Sequence, residues 1–136
     1  MPKVILDTNI FLAAIIFGGM SVKIIELILD EKLTLVMSQE LKDEVIFKLA
    51  TKFKADEAMI NDFNSLVDST SFWYEPKTEI LECRDPKDNF LLELAFESDA
   101  EFLITRDKDL LEINNGNWQN TRILTPEIFL NEQRNI

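Results

Sequence analysis

The chain reads as an α/β protein with a mostly parallel sheet covered by helices on both faces. Three observations point there. Short apolar runs at residues 3–7, 33–37 and 101–105 read as strands. Between them lie segments with apolar residues at helical spacing. The strand-like runs give way to polar or acidic residues that suit helix starts.

Residues 3–7 form the first expected strand, running out at Asp7, and Asn9 can cap the helix that follows. That helix covers residues 10–17 and closes at Gly18 and Gly19. Ser21 can cap a second helix with Val22, Ile25, Ile28 and Leu29 on its apolar face. After the strand at 33–37, Ser38 caps a helix whose Leu41, Val45, Leu49 and Phe53 make a core stripe. Asp56 begins another, with Met59, Ile60, Phe63 and Val67 inward. Residues 71–74 look like a strand and 75–84 like a loop. Asp85 at the cap, Pro86 in the first turn and Asp88 two residues on open a helix reaching about Ser98. After the strand at 101–105, Asp107 leads a short helix through Ile113. Residues 114–120 read as a polar turn region, and 122–124 as the last strand. Thr125, Pro126 and Glu127 start the terminal helix. Right-handed crossovers then carry the carboxyl ends of the parallel strands to one edge.

At 136 residues the chain has the length of one domain, 1–136, and its 46% hydrophobic content can build a core. The apolar run at 10–17 is too short to span a bilayer and has no cleavage pattern after it, so the expectation is a cytoplasmic protein without a membrane partner. Cys83 is the sole cysteine and forms no disulfide or metal framework. Histidine is absent. That excludes His-based acid–base catalysis, Ser-His-Asp triads and ordinary His/Cys zinc sites. Hydrolytic chemistry here must rest on carboxylates, hydroxyls, Lys, Arg or metal ions. The net charge of −11 opposes phosphate binding. It serves solubility, or part of it is a carboxylate cluster that bound metal would offset.

The acids at strand and helix ends are the candidates. Asp7 ends an apolar strand, where open α/β sheets keep their ligands. It either takes backbone N–H bonds in the turn or serves a site. Glu44 can reach a site or pair with Lys48, and Glu40 competes for the same role from the first turn. Asp85 suits capping, whereas Asp88 can turn towards the strand edge. Thr105 and Asp107 repeat at one strand end the hydroxyl and carboxylate found at Asp7 and Thr8. Asp109 is expected to face solvent; with Asp85 it is an additional acidic candidate. Converging carboxylates of this kind bind hard divalent cations.

Four stretches carry a resemblance: residues 4–9 with Asp7-Thr8-Asn9, 38–45, 84–95 with Asp85-Pro86-Lys87-Asp88, and 102–111 with Thr105-Arg106-Asp107. Together they resemble the PIN-domain family, specifically the VapC-like toxin components of prokaryotic toxin–antitoxin systems. The resemblance implies a Rossmann-like, three-layer α/β/α PIN domain with metal-dependent ribonuclease activity. It places the family's acidic set on Asp7, Glu44, Asp88 and Asp107 as catalytic and metal-binding residues for Mg²⁺ or Mn²⁺. Asn9 and Thr105 match the polar residues supporting that set. An RNA substrate, a cognate antitoxin and a homodimer are implied as partners. Arg106 departs from the pattern, since similar sequences often carry a small residue there.

Arg106 and Lys108 are expected to contact phosphate, being tied to Asp107 by sequence. Lys42, Lys48, Lys52 and Lys54 cluster around one helix and read as a solvated face. Trp73, Tyr74 and Trp118 suit core or dimer contacts, or base stacking. The rival readings are a PIN-like module that binds nucleic acid or protein without cutting, and a haloacid-dehalogenase-like phosphotransferase. The latter resemblance fails at Asn9, where a second aspartate is needed.

Overall fold

The computed structural model describes residues 1–133. Its framework is a six-stranded sheet in the order β3-β2-β1-β4-β6-β5, flanked by helices. The strands are β1 (Lys3–Leu6), β2 (Thr34–Met37), β3 (Ser71–Trp73), β4 (Phe102–Ile104), β5 (Asn117–Trp118) and β6 (Thr121–Leu124). All neighbours pair in parallel except β5 with β6, which form an antiparallel hairpin. This is the three-layer α/β architecture expected from the alternation of strands and helices. Val4, Ile5 and Leu6, like Leu35, Val36 and Met37, are wholly buried, as strands covered on both faces must be.

The helices are α1 (Thr8–Leu12), α2 (Met20–Leu29), α3 (Gln39–Thr51), α4 (Glu57–Thr70), α5 (Asn89–Ser98), α6 (Lys108–Leu111) and α7 (Pro126–Gln133). Ser38 caps α3 by accepting from the Leu41 N–H at 3.2 Å, and Asp56 caps α4 by accepting from Met59 at 2.9 Å. Phe11 and Phe63 meet edge to face at 5.4 Å, joining α1 to α4. No single helix among the described residues is long and apolar enough to cross a membrane.

Four local expectations are corrected. Asn9 is not the cap of α1: the strand stops at Leu6, Asp7 takes the cap position, and Asn9 lies exposed inside the helix. Beyond α1 the coil widens into a π turn over Ala13–Phe17, closed by Gly18 N–H to the Ala13 carbonyl at 2.8 Å. Gly18 and Gly19 then both take φ +79° with strongly negative ψ, a conformation essentially reserved for glycine. Consequently Gly19 occupies the cap of α2, and Ser21 is buried within that helix. Asp85 caps a separate 3₁₀ turn, Pro86–Asp88, before α5 proper begins. Finally, the polar segment after α6 contains β5: Asn114, Asn115 and Gly116 at positive φ lead the chain into it, and Gln119, also at positive φ, turns it back to β6 in a two-residue hairpin loop.

Strand register sets the place of any site. Leu6 is level with Ile104, and Ile104 with Leu124, so β1, β4 and β6 end flush. The Asp7 N–H extends this ladder to the Ile104 carbonyl at 3.0 Å, and the Thr105 N–H to Leu124 at 3.0 Å. Successive connections run to opposite sides of the β1–β4 pair. That pair is therefore the switch point of the sheet, where a crevice opens beyond the carboxyl ends.

Candidate metal centre at the carboxyl edge

Asp7 and Thr105 meet across this switch point. Thr105, wholly buried, donates its hydroxyl to Asp7 Oδ2 at 2.6 Å. The same hydroxyl oxygen accepts the Asp107 N–H at 3.0 Å. One threonine thus fixes both the Asp7 carboxylate and the backbone that presents Asp107. Asp107 in turn caps α6, its Oδ1 accepting from the Asp109 N–H at 2.8 Å. Asp7 is only 6% exposed. Burial pushes its carboxyl up; hydrogen bonds from Thr105 and Thr8 oppose this, and the negative charges of Asp107 and Glu44 add to it.

Glu44 reaches the site from α3, which packs against α1. Thr8, almost fully buried, donates its hydroxyl to Glu44 Oε2. Lys48 stands 3.7 Å from the other oxygen, in the i,i+4 pairing the sequence suggested. Glu44, not Glu40, is the α3 acid whose charge is felt at Asp7. Glu40 is exposed and lies in a neighbouring cleft; burial, Glu93 and Glu44 push its carboxyl up.

Asp88 enters from the 3₁₀ turn before α5. Its Oδ2 is buried without a hydrogen-bond partner. Burial, the adjacent Asp107 carboxyl, and the charges of Asp7 and Asp85 push its pKa up to about 7. A buried carboxylate oxygen surrounded by like charge is costly unless a cation or a proton, here one shared with Asp107, meets it. Asp85 and Asp109 supply further oxygens: one from each, with one from Asp88, lie within 4.8 Å of one another. Asp85 keeps its expected capping role, whereas Asp109 departs from the solvent-facing position expected of it. Asp85 accepts from the Lys87 N–H at 3.1 Å as a cap and also joins this group. Asp109, expected in solvent, is half-buried, with Arg84 Nε 3.1 Å from its Oδ1. All these donors are oxygens, which suits Mg²⁺ or Mn²⁺ rather than softer metals.

The remaining candidates separate. Asn9 makes no hydrogen bond to Asp7; Thr105 and Thr8 hold the acids instead. Thr8 was missed as a functional residue, although its hydroxyl stood in the Asp-Thr-Asn run. Arg106 is exposed and paired with Glu127 at the start of α7. Burial raises the Glu127 carboxyl, but hydrogen bonds from Arg106 and the local backbone bring it below its ordinary value. Lys108 is exposed and makes no ion pair among the described residues. Trp118 is buried, its ring N–H donating to Glu82 at 2.6 Å. Trp73 stays partly exposed with the Lys42 ammonium 5.7 Å from its ring centre. Tyr74 accepts from Lys3 at 3.3 Å.

A Rossmann-like sheet with acids gathered at its switch point defines a class of α/β proteins that keep their ligand site at the carboxyl edge. The chain belongs within that class to the PIN domain family, whose pattern matches residues 3–109. PIN domains are typically metal-dependent nucleases, and the Asp85–Asp88–Asp109 group, which contains Asp88 of the expected set but not Asp7, Glu44 or Asp107, is of the kind that holds a divalent ion. An uncharacterized protein of Methanocaldococcus jannaschii is 33% identical over 141 residues, covering 96% of this chain and 90% of that protein.

Proposed function

We propose that this protein is a Mg²⁺- or Mn²⁺-dependent endoribonuclease, the toxin of a VapC-like toxin–antitoxin pair, acting in the cytoplasm as a single domain over 1–136. The observation that carries the reading is the Thr105 hydroxyl joining Asp7 to Asp107 beside the unpartnered Asp88 oxygen. Asp7, Asp88 and Asp107 would hold the ions, with Glu44 completing the site directly or through water. A divalent ion there supplies an activated water and offsets charge at the scissile phosphate. Thr105 and Thr8 keep the carboxylates aimed, so little ordering is left to the moment of reaction. Burial around Asp7 excludes bulk water and strengthens each local charge. Lys108, exposed at the start of α6, would contact phosphate in this reading, and Arg106 would do so only by leaving Glu127.

A cognate antitoxin and a second copy of the chain are the proposed protein partners. The apolar cleft between α1, α2 and α4, lined by Phe11, Ile15, Val22, Met59 and Phe63, offers surface for such a contact. The non-cutting module is separated from the nuclease by one comparison. Wild type should cleave single-stranded RNA with Mn²⁺ and not with EDTA, and Asp7→Asn should lose cleavage while keeping its circular dichroism. Equal metal-independent cleavage by both proteins, or none by wild type on any RNA, would overturn the ribonuclease reading.

A further inference from the structure

Two cations pair with acids of the centre among the described residues: Lys48 with Glu44 at 3.7 Å, and Arg84 with Asp109 at 3.1 Å. The first pair lies one turn apart on α3. The second joins separate segments. Asp109 lies on α6 and Glu112 at its end, one turn apart, so both carboxylates face one side. Arg84 precedes the Pro86–Asp88 turn and lays its guanidinium against both. Its Nε stands beside Asp109 Oδ1, and its Nη2 donates to Glu112 Oε2.

Stability does not account for this clamp. The Arg84 and Glu112 side chains are 68% and 60% exposed, and exposed pairs contribute little. Asp109 is the informative partner. One of its oxygens lies within 4.8 Å of oxygens of Asp85 and Asp88, so Arg84 leans on a carboxylate that belongs to the acid group. A guanidinium there repels a second cation and draws on the same lone pairs, so Arg84 and a divalent ion compete for Asp109. Glu112 lies outside that group and retains the guanidinium when Asp109 turns away. Nη1 has no partner among the described residues, which leaves part of the fork open. A planar fork of N–H donors matches the oxygens of a phosphate. Lys87 and Lys108, exposed on the same two segments, add positive charge around it.

We propose that Arg84 is a phosphate-binding residue under metal control: Asp109 holds its guanidinium, and once that carboxylate turns to a divalent ion the fork takes a phosphate of the RNA backbone beside the acid centre. The exchange explains why an exposed arginine is tied to an acid of the centre. It also makes RNA binding conditional on metal, because the cation that receives the backbone is engaged until then. Its service to cleavage rests on the ribonuclease reading; the exchange of partners does not.

The test uses the full chain and two probes. Mn²⁺ alone is titrated by calorimetry. A short fluorescent 2′-O-methyl RNA is titrated by anisotropy, with gel electrophoresis to verify that it stays whole. Arg84→Ala should bind Mn²⁺ at least about threefold more tightly than wild type. In Mn²⁺ it should bind the RNA roughly tenfold more weakly. The slope of log affinity against log salt in Mn²⁺ should fall by about 0.7, the share of one phosphate contact on a single strand. In EDTA the two proteins should bind the RNA alike. Arg84→Lys, which keeps the charge and loses the fork, should recover only part of the RNA affinity. Asp109→Asn should gain RNA affinity in EDTA, and the gain should vanish in Asp109→Asn/Arg84→Ala. Weaker Mn²⁺ binding by Arg84→Ala, an unchanged salt slope, or an equal loss of RNA affinity in EDTA would overturn the proposal. The expected binding pattern without cleavage of any RNA would sustain the exchange and sink the nuclease. Cleavage at an unchanged KM in Arg84→Ala would do the reverse.

Discussion

Stripping metal from this protein and raising the pH should destabilise it through Asp88. In the unfolded chain Asp88 titrates near 3.8, and in the fold at about 7. The folded state holds the proton more tightly. Stability from this group is therefore complete below about pH 4 and disappears as the pH climbs through about 7. Each tenfold gain in proton affinity is worth about 1.4 kcal/mol, but Asp88 is partly solvated and its neighbours are screened. A discounted loss of about 1–2 kcal/mol between about pH 5 and pH 8 is expected. For a chain of this length that lowers Tm by roughly 3–8 °C. The assay is thermal melting in EDTA across that range, for wild type and for Asp88→Asn. The difference between them isolates this carboxyl from the other acids. Mn²⁺ at about a hundred times its Kd should restore about 2.7 kcal/mol at the higher pH. Identical pH slopes in the two proteins, or no rescue of wild type by Mn²⁺, would refute the account of a carboxylate cluster awaiting a cation.

Three further perturbations probe the supports. Thr105→Val removes the donor to Asp7 and the acceptor of the Asp107 N–H; denaturant titration should show a loss of about 1–3 kcal/mol, with Mn²⁺ affinity falling roughly 10–100-fold. Thr8→Val frees Glu44 from its tether; kcat for RNA should drop roughly tenfold or more, with the helical circular dichroism spectrum preserved. Arg106→Ala breaks an exposed pair with Glu127; chemical denaturation should change by less than about 1 kcal/mol, and a larger loss would mean the pair anchors α7.

Strands β1, β2, β4 and β6 were legible because each is a largely apolar run ending at or just before a helix-capping residue, a local signal that survives folding. Asp7 and Asp107 were legible for the same reason, since both sit at strand ends. Their partners were not. Which neighbour grips Asp7 depends on the flush register of β1 and β4, and that is decided 98 residues away at Thr105. The choice of Thr8 over Asn9 follows from one residue of offset in the start of α1: with Asp7 at the cap, Thr8 turns inward and Asn9 outward. Asp85 and Asp109 looked like a cap and a surface acid because each obeys its local rule; only the docking of the α5 and α6 starts brings them together. The β5 hairpin was hidden by its brevity: the strand is only Asn117 and Trp118, and its two-residue turn puts Gln119, a residue that gives no turn signal, at positive φ.

The distribution of cations also bears on how an acidic chain could hold RNA. Arg84 is engaged by Asp109 and Glu112, Arg106 by Glu127, Arg122 by Glu132 and Lys42 by Asp68. Lys87 and Lys108 are the exposed cations near the acid centre without an ion pair among the described residues. With only these two cations free beside the acid centre, few counterions are released there on binding, so affinity for RNA at that site should depend only weakly on salt. On the ribonuclease reading, the attraction must then come from divalent ions held by Asp7, Asp88 and Asp107 and from Arg84 once Asp109 lets it go. Metal would recruit the substrate as well as cleave it. The same acids that repel a bare phosphate would thus confine binding to the loaded site, which a basic surface could not do.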